Sequence, residues 1–241
     1  MRVELTPAYI LHQRSYRDTS LIVDMFTRDY GLVSAVAKGA KRPKSAFRNG
    51  LQNFTPVLVS WTGRSDLQTL TRIEVEHVFP RLQGNRLVAG FYLNEVILRI
   101  TPRAEPHEGL YHAYTDALHA LPERDIAETL RIFELQLLSE SGYELMLETD
   151  ADTGEPVDPT ANYLYIMEHG PVKIEVNTRQ RGLVLRGSTL LALARQTLET
   201  SEQLKQAQKL LRQALMPLLG SKPLLSRELW QRDTRSVHKQ D

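Results

Sequence analysis

Five β-prone runs fill the first third of the chain: "VELTPAYILHQ", "SLIVDMFT", "GLVSAVAK", "FTPVLVSWTG" and "LQTLTRIEVEH", all between residues 3 and 77. They are rich in Val, Ile, Leu, Thr and aromatic residues, and turn signals such as "RDYG" divide them. Five short strands of this kind fit a small closed barrel, of which the OB type is a common form. After Pro80 the apolar spacing lengthens to a helical period in "NRLVAGFYLNEVILRI", "EGLYHAYTDALHAL" and "DIAETLRIFELQLLSES". The last of these puts Ile126, Leu130, Phe133 and Leu137 on one stripe, with Gly142 as its C-cap. Residues 148–162 read as an acidic loop, "YLYIME" and "VKIEV" as short strands, and 187–199 and 201–219 as helices, the second capped by Ser201 and ending at Gly220. The expected class is α+β: a five-stranded OB barrel over 1–80, then a mainly helical domain over 81–241 with a small loop and strand insertion near 148–177.

Between the third and fourth runs lies "AVAKGAKRPKSAFRNG", where Lys38, Lys41, Arg42, Lys44 and Arg48 stand without a carboxylate. Gly39, Pro43 and Gly50 argue against regular structure there, so the cations should project into solvent. Phosphates would relieve their mutual repulsion and release counterions in doing so. Rings beside such cations can stack on bases. Most of the nearby rings (Tyr9, Phe26, Tyr30, Phe54, Trp61) are needed to fill a barrel, which leaves Phe47 and Tyr16, with their polar neighbours, as the stacking candidates.

The 241-residue chain has a formal charge of only +1. Residues 1–80 hold 11 Lys/Arg against 7 Asp/Glu, residues 81–160 hold 6 against 15, and residues 161–241 hold 13 against 7. Basic surfaces flanking an acidic one suit a polyanion partner. Apolar content of 41% and charged content of 24% are those of a soluble globular protein. The sequence contains neither an apolar run of about 18 residues nor a signal-peptide core, so a cytoplasmic, nucleoid-associated protein without membrane contact is expected. With Cys 0, disulfides and thiolate metal sites are excluded.

Catalytic motifs are missing. "KGAKRPKS" and "LGSKPLLS" are not phosphate loops, and "HEGLYH" (107–112) spaces its histidines by five, which turns them off a common helix face. Asp150, Asp152 and Asp158 lack the pattern of a calcium loop and read as a solvated acidic segment. No catalysis, cofactor or metal is expected.

Six stretches in fixed order resemble the RecO family of bacterial recombination mediators: "YILHQRSYRDTSLIVDMFTRDYGLVSAVAKGAKRPKS", "LQNFTPVLVSWTGRSDLQTL", "FYLNEVILRI", "RIFELQLLSESGY", "TGEPVD" and "KPLLSRELW". The resemblance implies an OB domain, binding of single- and double-stranded DNA, strand annealing, contact with the C-terminal tail of single-stranded-DNA-binding protein (SSB), and cooperation with RecR to load RecA. Many members carry four zinc-binding cysteines flanking the stretch that here runs from Thr149 to Gly170. This chain has none, so "YLYIME" and "VKIEV" are expected to pack on the helices instead.

Two further surfaces follow from helical spacing. On 201–219, Lys205, Lys209 and Arg212 form a basic stripe beside Leu204, Ala207, Leu211, Ala214 and Leu218, and this stripe either is a solvated face or extends a DNA path. Arg131 either pairs with Glu128 or Glu134 at i, i±3 or, as the resemblance implies, grips the SSB tail beside Leu130, Leu135 and Leu138. The alternatives to a DNA-binding adaptor are an RNA-binding OB protein of translation or ribosome assembly, and a nucleic-acid-processing enzyme.

Overall fold

The computed structural model describes residues 2–77, 80–174, 182–227 and 229. The last residues of "VKIEV", the end of the 148–177 insertion, and Glu228 and Trp230 of "KPLLSRELW" lie outside them. Strands β1 (Arg2–Tyr16), β2 (Ser20–Thr27), β3 (Gly31–Ala37), β4 (Pro56–Thr62) and β5 (Leu67–Val75) close a barrel in the order β1-β2-β3-β5-β4. β1 is long enough to serve two neighbours, pairing with β4 over Arg2–Tyr9 and with β2 over Ala8–Tyr16. β3 and β5 run parallel, and the other pairs are antiparallel. This is an OB barrel. Period-two alternation sends Val23 and Met25, Val33, Ala35 and Ala37, and Val57, Val59 and Trp61 inward as its core.

Helices α1 (Gly84–Ile100) and α2 (Glu108–Ala120) pack on the barrel and join it in one compact unit, which runs to Pro122 and resumes at Pro223. β5 ends at Val75 and α1 begins at Gly84, and the division between units comes only after α2. Tyr9 and Phe26 belong to this packing: Tyr9 meets Tyr114 edge-on at 5.1 Å, and Phe26 lies 5.7 Å from Tyr111. A polar relay is buried in the same place. The β1–β2 register shifts between Ile10 and His12, so Leu11 has no partner across the ladder. Its carbonyl accepts from Asn94 Nδ2 at 2.8 Å, and the Tyr114 hydroxyl donates to Asn94 Oδ1 at 2.6 Å. The bulge creates an orphan acceptor, and one buried amide satisfies it while locking both helices to β1. Near the C-terminus, Glu95 accepts from the backbone N–H groups of Leu225 and Ser226 and from the Ser226 hydroxyl, which fastens that segment to α1.

The second unit spans Glu123–Lys222. It contains α3 (Ile126–Glu140), a three-stranded sheet ordered β7 (Gly170–Lys173), β6 (Asn162–Ile166), β8 (Leu183–Arg186), then α4 (Gly187–Ala194) and α5 (Ser201–Leu219). Asp125 caps α3 by accepting from the Glu128 N–H. Gly142, at φ +79, ends it in a left-handed turn in which the Tyr143 N–H reaches the Leu138 carbonyl. Two expectations are corrected. Helix α4 stops at Ala194 rather than near 199, and α5 is capped by Thr200, not Ser201, because Thr200 is the residue in extended conformation and exchanges bonds with Gln203 in a capping box. β8, four residues long, was not anticipated. None of the described helices is long and apolar enough to cross a membrane.

Replacing Asn94 by Leu should leave the Leu11 carbonyl and the Tyr114 hydroxyl unpaired, at about 1–3 kcal/mol for each. Urea unfolding would read this as a lower midpoint, and adding Tyr114→Phe should recover part of it.

Candidate nucleic-acid interface

The basic connection after β3 is an ordered string of tight turns. Backbone bonds close it step by step: Ala40 N–H to Ala37 O, Arg42 N–H to Gly39 O, Ser45 N–H to Arg42 O, Arg48 N–H to Ser45 O, and Leu51 N–H to Phe47 O. Gly39, at φ +71, supplies the left-handed residue of the first turn, and Pro43 pre-sets the third. The Lys41 N–H donates to the Thr19 carbonyl at 3.0 Å and so ties the segment to the β1–β2 turn. Ala40, Phe47 and Leu51 pack against the barrel core. With the apolar side chains turned in, Lys38, Lys41, Arg42, Lys44 and Arg48 are all exposed, and none forms an ion pair with a described residue.

Phe47 turns toward the core with Ala40 and Leu51. Its ring is half-buried and spent on closing the barrel, since an apolar ring beside an open barrel end gains more from the core than from solvent. Tyr16 is half-buried on the neighbouring turn, with the Arg17 guanidinium 5.2 Å above its ring. Arg17, exposed at φ +53, and the exposed Arg14 add two cations that the sequence "RSYR" places on either side of Tyr16. The Lys41–Thr19 bond brings this second cationic turn beside the first.

One outer-face cluster resembles nucleophile chemistry and is not. The Ser34 hydroxyl donates to Asp24 Oδ1 at 2.5 Å, and His12 Nδ1 lies 3.5 Å from Asp24 Oδ2. The carboxylate stands between hydroxyl and imidazole, so no base adjoins the serine. Arg103 completes a cross-strand ladder by donating to Ser34.

In the second unit, Lys205, Lys209 and Arg212 are exposed on α5, opposite buried Ala207, Leu210, Leu211 and Leu215. Leu204, Ala214 and Leu218 are only half-buried, so the buried stripe is rotated slightly from the expected one. Arg131 is corrected more strongly. It is 7% exposed, and its Nη2 donates to Glu134 Oε1 at 2.7 Å. Leu130 and Leu138 are buried and Leu135 half-buried, so these residues do not form an open groove with a free cation at its edge.

Asp150 is not solvated either. At 4% exposure its carboxylate accepts from the N–H groups of Asp152, Thr153 and Lys173, joining the acidic loop to β7. Burial pushes this carboxyl up, and the N–H bonds, led by those of Thr153 and Lys173, outweigh it and hold the group below the ordinary carboxylate value. A zinc ion does not fit this region. Thiolates are absent from the sequence, Asp150 is committed to backbone donors, and the described residues contain no cluster of three or more His, Asp or Glu able to hold a metal.

Two family descriptions match the chain: "Recombination protein O N terminal" over residues 1–79 and "Recombination protein O C terminal" over 81–228. It is 43% identical over 229 residues to a protein of Aromatoleum aromaticum named DNA repair protein RecO, covering 95% of each chain. It is 45% identical over 230 residues to the protein of that name from Nitrosococcus oceani, covering 95% of this chain and 93% of the relative. The Coxiella burnetii protein of that name is 40% identical over 228 residues, covering 95% and 98%. None of these descriptions is that of a catalytic family.

Three outcomes follow from the second unit. Arg131→Ala should cost about 3–5 kcal/mol by leaving a buried carboxylate without its cation, whereas Arg131→Met with Glu134→Leu should restore most of the melting temperature. A charged Asp150 stabilises the fold above the ordinary carboxyl pKa of 3.8, and that contribution is lost as pH falls through its lowered value. Asp150→Asn should therefore lower thermal stability at neutral pH and flatten its acid dependence, and EDTA should leave the melting temperature unchanged.

Proposed function

Since the chain belongs to the RecO family of DNA repair proteins, with a role in recombinational repair, we propose that it acts there as a non-enzymatic mediator that grips DNA through the turn string after β3. The observation that carries this is five exposed cations without ionic partners, fixed on one barrel end by apolar side chains and backbone bonds. Arg14, Arg17 and Tyr16 extend the same surface, and Lys205, Lys209 and Arg212 offer a second basic stripe on α5. Backbone-directed cations do not read sequence, which suits a protein that must bind any single strand or duplex and anneal complementary strands. Contact with the SSB tail, cooperation with RecR and loading of RecA complete the proposal, on the strength of the family likeness. The tail receptor is not assigned to Arg131, whose guanidinium is held by Glu134.

The loop's anchors are not its charges, so charge and fold can be separated. If all five cations meet phosphates, they contribute about −3.5 to the log–log salt slope on single strands, at roughly −0.7 each. Lys41→Glu with Arg42→Glu should reduce that slope by about 1.4 and cut single-strand affinity at least about tenfold at about 50 mM salt, with the melting temperature unchanged. Unaltered affinity would remove the loop from the DNA path. Competition between single-stranded DNA and RNA would separate this reading from an RNA-binding one.

A further inference from the structure

A cleft of about 760 Å³ opens in the first unit directly after the basic turns. Its floor is aromatic: Phe54 and Phe91 meet edge-to-face at 5.2 Å. The floor is built by a glycine, because a Cβ on Gly90 would lie 2.9 Å from both the Phe54 ring and Leu82. Phe54 itself is held at φ +65, a left-handed conformation that a bulky residue adopts only under constraint. Amides line the wall: Gln13, Asn49, Gln52 and Asn53. Gln13 reaches across to donate to the Leu51 carbonyl at 3.2 Å, which fixes the wall to β1. Asn53 Oδ1 is buried without a hydrogen-bond partner. Arg81 also lines the cleft, Arg48 precedes the lining residue Asn49, and no carboxylate is among the described lining residues.

We infer that this cleft takes one unstacked base of a single DNA strand whose phosphates run along the turn string, an inference that rests on the nucleic-acid reading of that loop. The chemistry matches on three counts. Amides carry a donor and an acceptor each, as the edge of a base does. The partly exposed face of Phe91 offers a stacking surface, and the unpaired Asn53 Oδ1 can accept from an incoming donor. Arg81 and the absence of carboxylates among the described lining residues favour an anionic chain over a basic peptide, which would need carboxylates to pair with.

The full chain tests this with two labelled strands of about twelve nucleotides, one of thymidine and one abasic, carrying the same phosphates. Wild type should bind the thymidine strand about tenfold more tightly, the weight of one stacked base. Gln52→Ala with Phe91→Leu, which keeps an apolar side chain on the floor, should bring that ratio to about one and leave abasic-strand affinity and the melting temperature as they were. Equal wild-type affinity for the two strands, or a preference that survives in the variant, overturns the base site. Failure of the loop reading shows separately, as an abasic-strand affinity that Lys41→Glu with Arg42→Glu does not change.

Discussion

The packing of Ala40, Phe47 and Leu51 on the barrel core is the contact on which the rest of this surface depends. An OB barrel is open at its ends, and a connection of about eighteen residues crossing one of them must either cover it or leave it wet. Here the connection covers it with its apolar side chains, and the cations between them are left exposed to solvent. Clustered like charges oppose one another, and a loop held by nothing else would spread to reduce that repulsion. The core contacts and the Lys41–Thr19 bond prevent it. Charge density is thereby stored in the free protein, and the ordering cost that a flexible basic tail would incur on binding has already been met in folding.

The Leu11–Asn94–Tyr114 relay plays the matching part on the other face of β1. A strand that must pair with β4 at one end and β2 at the other bends between them, and the bend leaves a carbonyl outside the ladder. Asn94 turns that local defect into the joint that holds α1 and α2. In the second unit, Asp150 does for a loop what a metal would otherwise do, gathering three backbone donors from two segments around one buried charge. Each device uses a single polar side chain to satisfy backbone groups that secondary structure leaves over.

Strand and helix periods were plain in the sequence because they repeat: five strands, their barrel and the three helices α1 to α3 follow from spacing alone. β8 was not, since four residues contain too few alternations to register. The charges of the basic loop were equally plain, because charge without a local carboxylate is a one-dimensional fact. What the loop's ring does was not. Phe47 has polar neighbours in sequence, but its neighbours in space come from strands far along the chain. Arg131 shows the same limit. Glu128 and Glu134 sit at equivalent spacings from it, and a partner's carboxylate would serve as well, so only the fold selects Glu134. Asp150 looked solvated for want of any sequence sign that three N–H groups converge on it.

The central claim is that Phe47 holds the cations in place and does not itself touch DNA. Equilibrium affinity for a single strand, compared across wild type, Phe47→Leu and Phe47→Ser, tests it most directly. Leu keeps an apolar plug and loses the ring, so its affinity should stay within about twofold of wild type. Ser loses the plug with every charge retained, and affinity should fall about tenfold as the turns loosen. A tenfold loss with Leu, equal to that with Ser, would make Phe47 a stacking residue and contradict the account.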